Sequence, residues 1–357
     1  MKPVKVLIVD DSVLIHKFLN RIFSDGPNFQ VVACAGNGKV ALEAISQHDP
    51  DVVTLDIQMP EMDGLETLSR IMKESPRPVV MLSSFSREGA ELTFNALDMG
   101  AVDFITKPHP VFSRSILDIQ DEILLKVETA SKVKVRGIDS VTTLKSRKKD
   151  SKKKKESGKI EKWRFQMCRN IVTMGVSTGG PKALQTILPT IPEDIPAGIL
   201  IVQHMPVGFT RAFADRLDRL SNVTVKEAEE GDPILPGVVY IARGDHHLML
   251  KKHQNAFAAV LNGTSTLSKF RPSVDVTMES AAEHFQENTI GVIMTGMCND
   301  GVEGVKRIKE NGGRIIAQDK KSSVVFGMNR LAIESGCVDR VVPLENVVPS
   351  ILDILNI

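Results

Sequence analysis

The first group of residues that could do chemistry combines carboxylates with a hydroxyl and an amine. Asp10, Asp11, Asp56, Ser83 and Lys107 each stand at or just after the end of an apolar run. Crowded carboxylates repel one another and favour a hard divalent cation with oxygen ligands, which suits Mg²⁺. With that metal bound, Asp56 could attack a phosphoryl group while Lys107 neutralises its oxygens and Ser83 donates a hydrogen bond to one of them. Aspartate is also a common turn former, but five such groups at the ends of apolar runs favour a site.

The second group is built around a serine on a glycine-rich turn. The segment GVSTGGP, residues 175–181, directly follows another apolar run, so Ser177 is predicted at the edge of a sheet. A serine nucleophile needs a general base, and the base needs an orienting group. His204 and Asp300 each follow an apolar run and are the candidates for these roles. On local grounds the same turn could cradle a phosphate, although the G-x-G-x-x-G and G-K-[ST] spellings are absent.

Seven other histidines compete for the role of the base. His246 and His247 are predicted in a turn between short strands. His284 is predicted within an amphipathic helix, where a packing or surface role is expected. The others are predicted at the surface of helices or loops: His16, His48, His109 and His253.

Five apolar runs alternate with helical patterns in the first part of the chain. The runs are VKVLIVD, FQVVACA, DVVTLDI, RPVVMLS and AVDFITK, and helices are predicted at 13–23, 39–46 and 65–73. This alternation indicates a five-stranded parallel sheet with helices on both faces. Because ligand groups collect outside the carboxyl ends of parallel strands, the acidic group is predicted to converge at one edge.

A second alternating series begins at residue 170. NIVTMGV, GILIVQH, IGVIMTG and GGRIIAQ are typical of buried parallel strands, and the predicted helices between them are 182–188, 210–220, 274–285 and 301–310. Residues 223–260 differ, because short alternating strands are split by Gly and Pro. That pattern predicts an antiparallel hairpin excursion from a doubly wound α/β core. A closing helix is predicted at 347–357.

The length and composition of the chain indicate a globular protein with two domains. A chain of 357 residues with 42% hydrophobic and 25% charged residues is expected to form two globular domains. The four cysteines show no paired spacing, which fits a reducing cytoplasm. No run is long enough for a signal peptide or a membrane helix, so we expect a cytoplasmic protein without membrane insertion.

Basic residues are concentrated in one stretch. Residues 145–164 hold eleven Lys or Arg against three Asp or Glu. Such a block is typical of a solvated linker. A polyanion-binding arm is the alternative, but the interleaved aromatics of a nucleic-acid reader are missing, so no nucleic-acid partner is expected.

The acidic group, together with DIQMPEMDG and ITKP, resembles the receiver domain of bacterial response regulators, which has a flavodoxin-like fold. The resemblance covers residues 4–127. It implies that a histidine kinase phosphorylates Asp56, that Asp10 and Asp11 hold Mg²⁺ with it, and that Ser83 and Phe104 move on phosphorylation.

The serine group resembles a different family. The order Ser177, His204, Asp300 differs from the Ser, acid, His order of α/β-hydrolases. With GVSTGGP, QHMPVGFT, FRPSVDV, TGMCNDG and AQDKKSSVVFGM, it resembles the chemotaxis protein-glutamate methylesterase over residues 170–354. The resemblance implies hydrolysis of glutamate γ-methyl esters, and deamidation of glutamines, on the cytoplasmic domains of chemoreceptors. It also implies oxyanion donors near Met297 and in the Ser177 turn.

Together these features predict a receiver domain at 1–127, a basic flexible linker at 128–165 and a methylesterase domain at 166–357. We expect phosphorylation of Asp56 to activate the esterase by relieving occlusion of its site. A transcription regulator would need a basic helix-turn-helix, which the second half lacks, and the sequence leaves open a catalytically idle adaptor. Three positions depart from the family pattern: Phe270 replaces histidine, Cys298 replaces glycine and Asn329 replaces proline.

Overall fold

The computed structural model describes residues 2–26, 28–84, 86–107, 116–135, 168–253, 256–264 and 268–357. The chain divides into two compact units, Met1–Thr142 and Thr143–Ile357. The lysine-rich stretch and most of the predicted linker lie outside the described residues. The domain boundaries at residues 127 and 165 therefore stay a prediction.

The first unit is a parallel sheet with helices between its strands. Its five strands are β1 (Val4–Val9), β2 (Phe29–Ala35), β3 (Val52–Asp56), β4 (Val79–Ser83) and β5 (Asp103–Thr106). Its helices are α1 (Val13–Asp25), α2 (Gly38–His48), α3 (Gly64–Glu74), α4 (Arg87–Asp98) and α5 (Ile116–Ser131). The strand order is β2-β1-β3-β4-β5 and all pairs are parallel, which confirms the predicted sheet.

The sheet edge collects the acidic group as predicted. Asp10 follows β1, Asp56 ends β3, Ser83 ends β4 and Lys107 follows β5. The central strands bury apolar side chains on both faces, and Val6 is among the fully buried ones. The packed strands therefore fix the positions of the polar residues at their carboxyl ends.

Gly64 allows the chain to turn tightly after β3. Its N–H donates to Ile57 O at 2.9 Å. A Cβ added at Gly64 would lie 1.9 Å from Asp56 O, closer than any real contact allows. Asp63 then caps α3 by accepting from Glu66 N at 2.8 Å. Only glycine fits this close approach to the backbone of Asp56.

The second unit is a larger parallel sheet with one hairpin. Its strands are β6 (Asn170–Val176), β7 (Ala197–Gln203), β8 (Thr224–Glu227), β9 (Val238–Ile241), β10 (His247–His253), β11 (Ala256–Asn262), β12 (Thr289–Ile293), β13 (Arg314–Gln318) and β14 (Arg340–Val342). Its helices are α6 (Gly180–Ile187), α7 (Phe209–Leu220), α8 (Val274–Phe285), α9 (Val302–Glu310), α10 (Met328–Glu334) and α11 (Val347–Ile354). Seven strands form one sheet in the order β14-β13-β12-β6-β7-β9-β8.

The predicted antiparallel excursion is confirmed for β10 and β11, which pair antiparallel. For β8 and β9 the prediction of an antiparallel arrangement was wrong, because both join the main sheet in parallel. The connection between them runs antiparallel beside β11, where Ile234 N donates to Phe257 O at 2.8 Å. Alternation along a short strand reports that one face is exposed, not the direction of its neighbour. The three-residue strand β14 was not predicted.

The helices follow the sequence pattern closely. Helix α8 has the predicted ends, and α11 starts at the predicted residue. Among the described residues, no helix has both the length and the apolar character needed to cross a bilayer.

We predict that Gly64→Ala destabilises the first unit by about 1–3 kcal/mol, because the added methyl group collides with Asp56 O. The measurement is hydrogen exchange of peptides covering β3 and α3, read by mass spectrometry. Gly36→Ala is the matched control, since nothing lies within 4 Å of its added Cβ. Equal exchange in the two variants would contradict the close-approach argument.

Candidate functional site

Ser177 occupies the turn between β6 and α6. Gly179 in this turn has φ 81°, and a Cβ there would lie 2.6 Å from Val324 Cβ. Gln203 Nε2, at the end of β7, donates to Ser177 O at 3.1 Å. The turn is therefore fixed from both sides, and it presents a half-buried serine at the carboxyl edge of the sheet.

The loop after β12 closes over the serine turn. Ser177 N donates to Thr295 O at 3.1 Å, and Thr295 Oγ1 donates to Thr178 O at 2.9 Å. A Cβ at Gly296 would lie 2.9 Å from Ser177 Cβ. Because the N–H of Ser177 is already bonded, this donor does not point at an oxyanion. Met297, the other oxyanion candidate, is half-buried in the same loop.

Strand order brings the three candidate catalytic residues to one place. Strand β6, which leads to Ser177, lies between β7, which leads to His204, and β12, which leads to Asp300. His204 N donates to Val176 O at 3.1 Å, beside the serine. His204 Nε2 lies 2.7 Å from Asp300 Oδ2. With Nε2 engaged, Nδ1 is the ring nitrogen left for proton exchange with a nucleophile.

Asp300 is held by the start of α8. Ser273 Oγ donates to Asp300 Oδ1 at 2.7 Å, Val274 N donates to Oδ2 at 2.7 Å, and Asp275 N donates to Oδ1 at 3.1 Å. Burial alone would raise the pKa of Asp300, but the hydrogen bond and charge of His204 and the backbone donors lower it below its ordinary value. The carboxylate thus stays charged and oriented towards the imidazole.

A second carboxyl group lies behind the first. Asp275 accepts from the backbone N–H groups of Gly301 at 2.8 Å and Gly304 at 2.7 Å. Burial, with the charge of Asp300, raises the pKa of Asp275 to about 7. The two environments push the pKa values of these carboxyl groups apart. Asp275 therefore ties the start of α9 to α8 and supports the loop that carries Asp300.

His204 is stabilised in its protonated form. Burial disfavours the imidazolium, but hydrogen bonds with Asp300 and Cys298 and the charge of Asp300 raise the pKa of His204 to about 10. Cys298 has φ 95°, a strained backbone conformation for a residue with a side chain. The residue that departs from the family glycine therefore keeps the glycine-like backbone and places its thiol beside the imidazole of His204.

The other described histidines lie elsewhere, and His109 is outside the described residues. His247 begins β10 and is fully buried, so its predicted position in a turn was wrong. Burial lowers the pKa of His247. His284 Nε2 lies 2.9 Å from Leu250 O, which agrees with a packing role.

Sequence reasoning missed the residues that hold the triad candidates. Ser273 caps α8 and also donates to Asp300, while Asp275 supports the same loop. The signal was present in FRPSVDV, where a serine and then an acidic residue begin a helical pattern. Asn329, which departs from the family proline, is buried and donates to Gln318 O at 2.8 Å.

The acidic group of the first unit is brought together around Lys107. Its Nζ lies 2.7 Å from Asp10 Oδ2 and 2.8 Å from Asp56 Oδ2. Asp10, Asp11 and Asp56 each offer a carboxylate oxygen, and these oxygens lie within 4.8 Å of one another. Such a set of hard oxygen donors fits Mg²⁺.

Burial and ion pairing shift the pKa values of Asp56 and Lys107 in opposite directions. Burial raises the pKa of Asp56, although the hydrogen bond and charge of Lys107 offset part of the effect. Burial would lower the pKa of Lys107, but its bonds to Asp10 and Asp56 raise it. The amine therefore serves as the counter-ion of two buried carboxylates.

The candidate switch residues are buried beside the acidic group. Ser83 Oγ lies 2.7 Å from Thr93 Oγ1 and 3.2 Å from Gly89 O, so its hydroxyl is bonded to α4. Phe104 is 2% exposed, and Lys126 Nζ lies 5.0 Å from its ring centroid. In this conformation the Ser83 hydroxyl is directed to α4.

Comparison with known proteins agrees with both units. Residues 6–113 match the response regulator receiver domain, and residues 172–351 match the family described as CheB methylesterase. The two matches define a response regulator with a CheB methylesterase unit.

The relatives extend over the whole chain. The protein-glutamate methylesterase/protein-glutamine glutaminase of Pyrococcus horikoshii is 43% identical over 100% of this chain and 95% of its own length. That of Geobacillus kaustophilus is 43% identical over 100% of both chains. The crystal structure of the Thermotoga maritima CheB methylesterase catalytic domain is 46% identical, with a TM-score of 0.51, and covers 52% of this chain and 97% of that one. The chain belongs to the protein-glutamate methylesterase/protein-glutamine glutaminase family.

We predict that Asp300→Asn lowers the pKa of His204, because the amide keeps the shape of the side chain but removes its charge. The titration of histidine ring carbons by NMR measures this, with His204→Gln to assign the signal. Asp339→Asn is the control, since Asp339 is a carboxylate of the same unit that pairs with Lys309. An unchanged His204 titration in Asp300→Asn would show that the ion pair is not formed in solution.

Proposed function

We propose that this protein is a phosphorylation-activated protein-glutamate methylesterase that acts on the cytoplasmic domains of chemoreceptors. The observation that carries the proposal is the 2.7 Å contact between His204 and Asp300, which follow the two strands on either side of the strand that leads to Ser177. We include deamidation of receptor glutamines, because an amide carbonyl is attacked by the same nucleophile. Such a substrate places the enzyme in the cytoplasm, where it serves chemotactic adaptation.

In the proposed reaction, Ser177 Oγ attacks the γ-carbonyl carbon of the methyl ester while the neutral form of His204 takes its proton. This neutral form is the minority form at neutral pH, because the pKa of His204 is raised to about 10. His204 then returns that proton to the methoxy oxygen, the carbon–oxygen bond breaks and methanol leaves. Water then attacks the carbonyl carbon of the acyl-enzyme while His204 takes its proton. His204 gives that proton to Ser177 Oγ as the bond between the acyl group and the serine breaks, which frees glutamate and Ser177. With a glutamine substrate the leaving group is ammonia.

Asp300 keeps Nε2 of His204 engaged and stabilises the imidazolium that forms when Ser177 loses its proton. Its fixed donors at the start of α8 mean that little reorganisation is needed during the reaction. We assign oxyanion stabilisation to the backbone around Met297, in the loop that contacts the Ser177 turn.

For the first unit we propose that a chemotaxis histidine kinase transfers a phosphoryl group to Asp56. Asp10, Asp11 and Asp56 would hold Mg²⁺, which when bound supplies positive charge for the phosphoryl oxygens. Lys107 would leave its ion pair with Asp56 and bond the phosphoryl group instead.

Regulation follows from the added charge. The phosphoryl group carries about two negative charges. It replaces the single charge of the Asp56 carboxylate at a buried edge where Lys107 is held between two carboxylates. We propose that Ser83 turns from α4 towards the phosphoryl group, that Phe104 shifts with it, and that the change relieves occlusion of the serine site. A shift from mostly occluded to mostly open corresponds to about 5 kcal/mol of differential stabilisation.

We predict that Ser177→Ala abolishes methanol release from methylated receptor, because no other group takes the place of its oxygen. Gas chromatography of released methanol measures the rate. Ser221→Ala is the matched control, since Ser221 is also buried in this unit and its Oγ has no partner among the described residues. Retention of more than a few per cent of activity in Ser177→Ala would remove Ser177 from the reaction.

We predict that Asp56→Asn keeps basal methanol release but removes its stimulation by a small phosphodonor with Mg²⁺, because the amide cannot be phosphorylated. The control is Asp25→Asn, a change of an exposed carboxylate at the end of α1. The measurement is methanol release from methylated receptor, with and without the phosphodonor, for both variants. Stimulation of Asp56→Asn equal to that of the control would place the phosphorylated residue elsewhere.

A further inference from the structure

An aromatic ring lies flat against the candidate base. The rings of Phe270 and His204 are stacked, with centroids 4.9 Å apart and planes 11° apart. Phe270 is half-buried in the segment between β11 and α8. Three residues further along the chain, Ser273 donates to Asp300. One short segment therefore contacts both the face of the imidazole and the carboxylate bonded to its edge.

We propose that Phe270 is a positioning residue that fixes the plane of the His204 ring and stabilises its protonated form. The expected effect of Phe270 on the rate of ester hydrolysis rests on the function proposed above. The effect on the imidazole itself follows from the stacked geometry alone.

The hydrogen bond of His204 with Asp300 does not fix the tilt of the imidazole ring. Its hydrogen bond to Asp300 fixes where Nε2 points, but the ring can still tilt about that bond. A flat neighbour at 4.9 Å blocks the tilt on one face. Because Nδ1 must point at Ser177 for proton transfer, the tilt angle decides how well the two groups align.

The face of the neighbour also carries charge density. The faces of an aromatic ring are electron-rich, so a cation within about 6 Å of the ring centroid is attracted to it. This attraction favours the imidazolium over the neutral ring, in the same direction as the Asp300 carboxylate. Stacking also keeps water from one face of the imidazole, which by itself disfavours the imidazolium, but an apolar leucine in place of Phe270 keeps that water away as well.

Charged and titratable groups lie near His204 on several elements of the described chain. Asp300, from the loop before α9, bonds the imidazole directly, and Cys298 of the same loop lies close enough to influence its charge. Behind Asp300 lies Asp275 of α8. His247 of β10 interacts with Asp300 and with Arg271, the neighbour of Phe270. A change of Phe270 to another neutral residue leaves all these charges in place, so it isolates the effect of the ring.

The experiment compares three variants in the full-length protein. Phe270→Leu keeps an apolar side chain but removes the aromatic face, and Phe270→Tyr restores an aromatic face. Phe257→Leu is the matched control, because Phe257 also stacks on a histidine, His284, at 5.8 Å and 24°. The readouts are the His204 titration by NMR and, from methanol release, kcat and KM measured across pH.

We expect the pKa of His204 to fall in Phe270→Leu. At high pH, where His204 is neutral in every variant, we expect kcat to drop roughly 3-fold to 30-fold with little change in KM. Phe270→Tyr should bring both values back near those of the unchanged protein. Phe257→Leu should alter the His284 signal and leave His204 and kcat unchanged.

An unchanged His204 titration in Phe270→Leu overturns the proposal. An equal fall in the pKa of His204 in Phe257→Leu also overturns it, because that would indicate a general loosening of the fold. A lowered pKa with unchanged kcat also overturns it, because the ring would then not position the base for reaction. Failure of the proposed function is seen separately, as activity in Ser177→Ala, and it does not alter the titration result.

Discussion

The buried carboxylate of Asp300 accepts hydrogen bonds from the Ser273 hydroxyl and from two backbone N–H groups at the start of α8, and it pairs with His204. A charge buried without partners costs several kcal/mol, so all of these donors must be in place when the chain folds. This requirement joins the end of β7, the start of α8 and the loop before α9. The groups that orient the His204 ring are thus bonded to the same carboxylate whose burial the donors at the start of α8 make tolerable.

The acidic edge of the first unit meets the same physical problem in a different way. Asp10 and Asp56 are buried, but both share a single amine, that of Lys107. An amine on a flexible side chain can change partners, whereas backbone donors at a helix start cannot. Asp300 is held by fixed donors and suits a site that must stay rigid. Asp56, whose pKa is raised by burial, suits a site that must respond to a new charge.

The sequence predicted what depends on local pattern. Apolar runs ending in polar residues placed Ser177, His204 and Asp300 at one sheet edge, and the helical period gave the ends of α8. What depends on distant contacts was not predictable. The parallel direction of β8 was missed because alternation reports exposure and not pairing. The bond of Ser83 to Thr93 joins groups ten residues apart, and the stacking of Phe270 on His204 needs the folded loop.

The pairing of β6 with β12 has a consequence for how the protein is made. His204 and Asp300 are separated by 96 residues, and Thr173 of β6 bonds Ile290 of β12 across 117. Contacts so distant in sequence form late, because a long segment must first be ordered before they are gained. A chain emerging from the ribosome would complete β6 and β7 well before β12 is available to pair with β6. The contact between His204 and Asp300 therefore forms only after the ribosome has passed β12 and the loop that follows it.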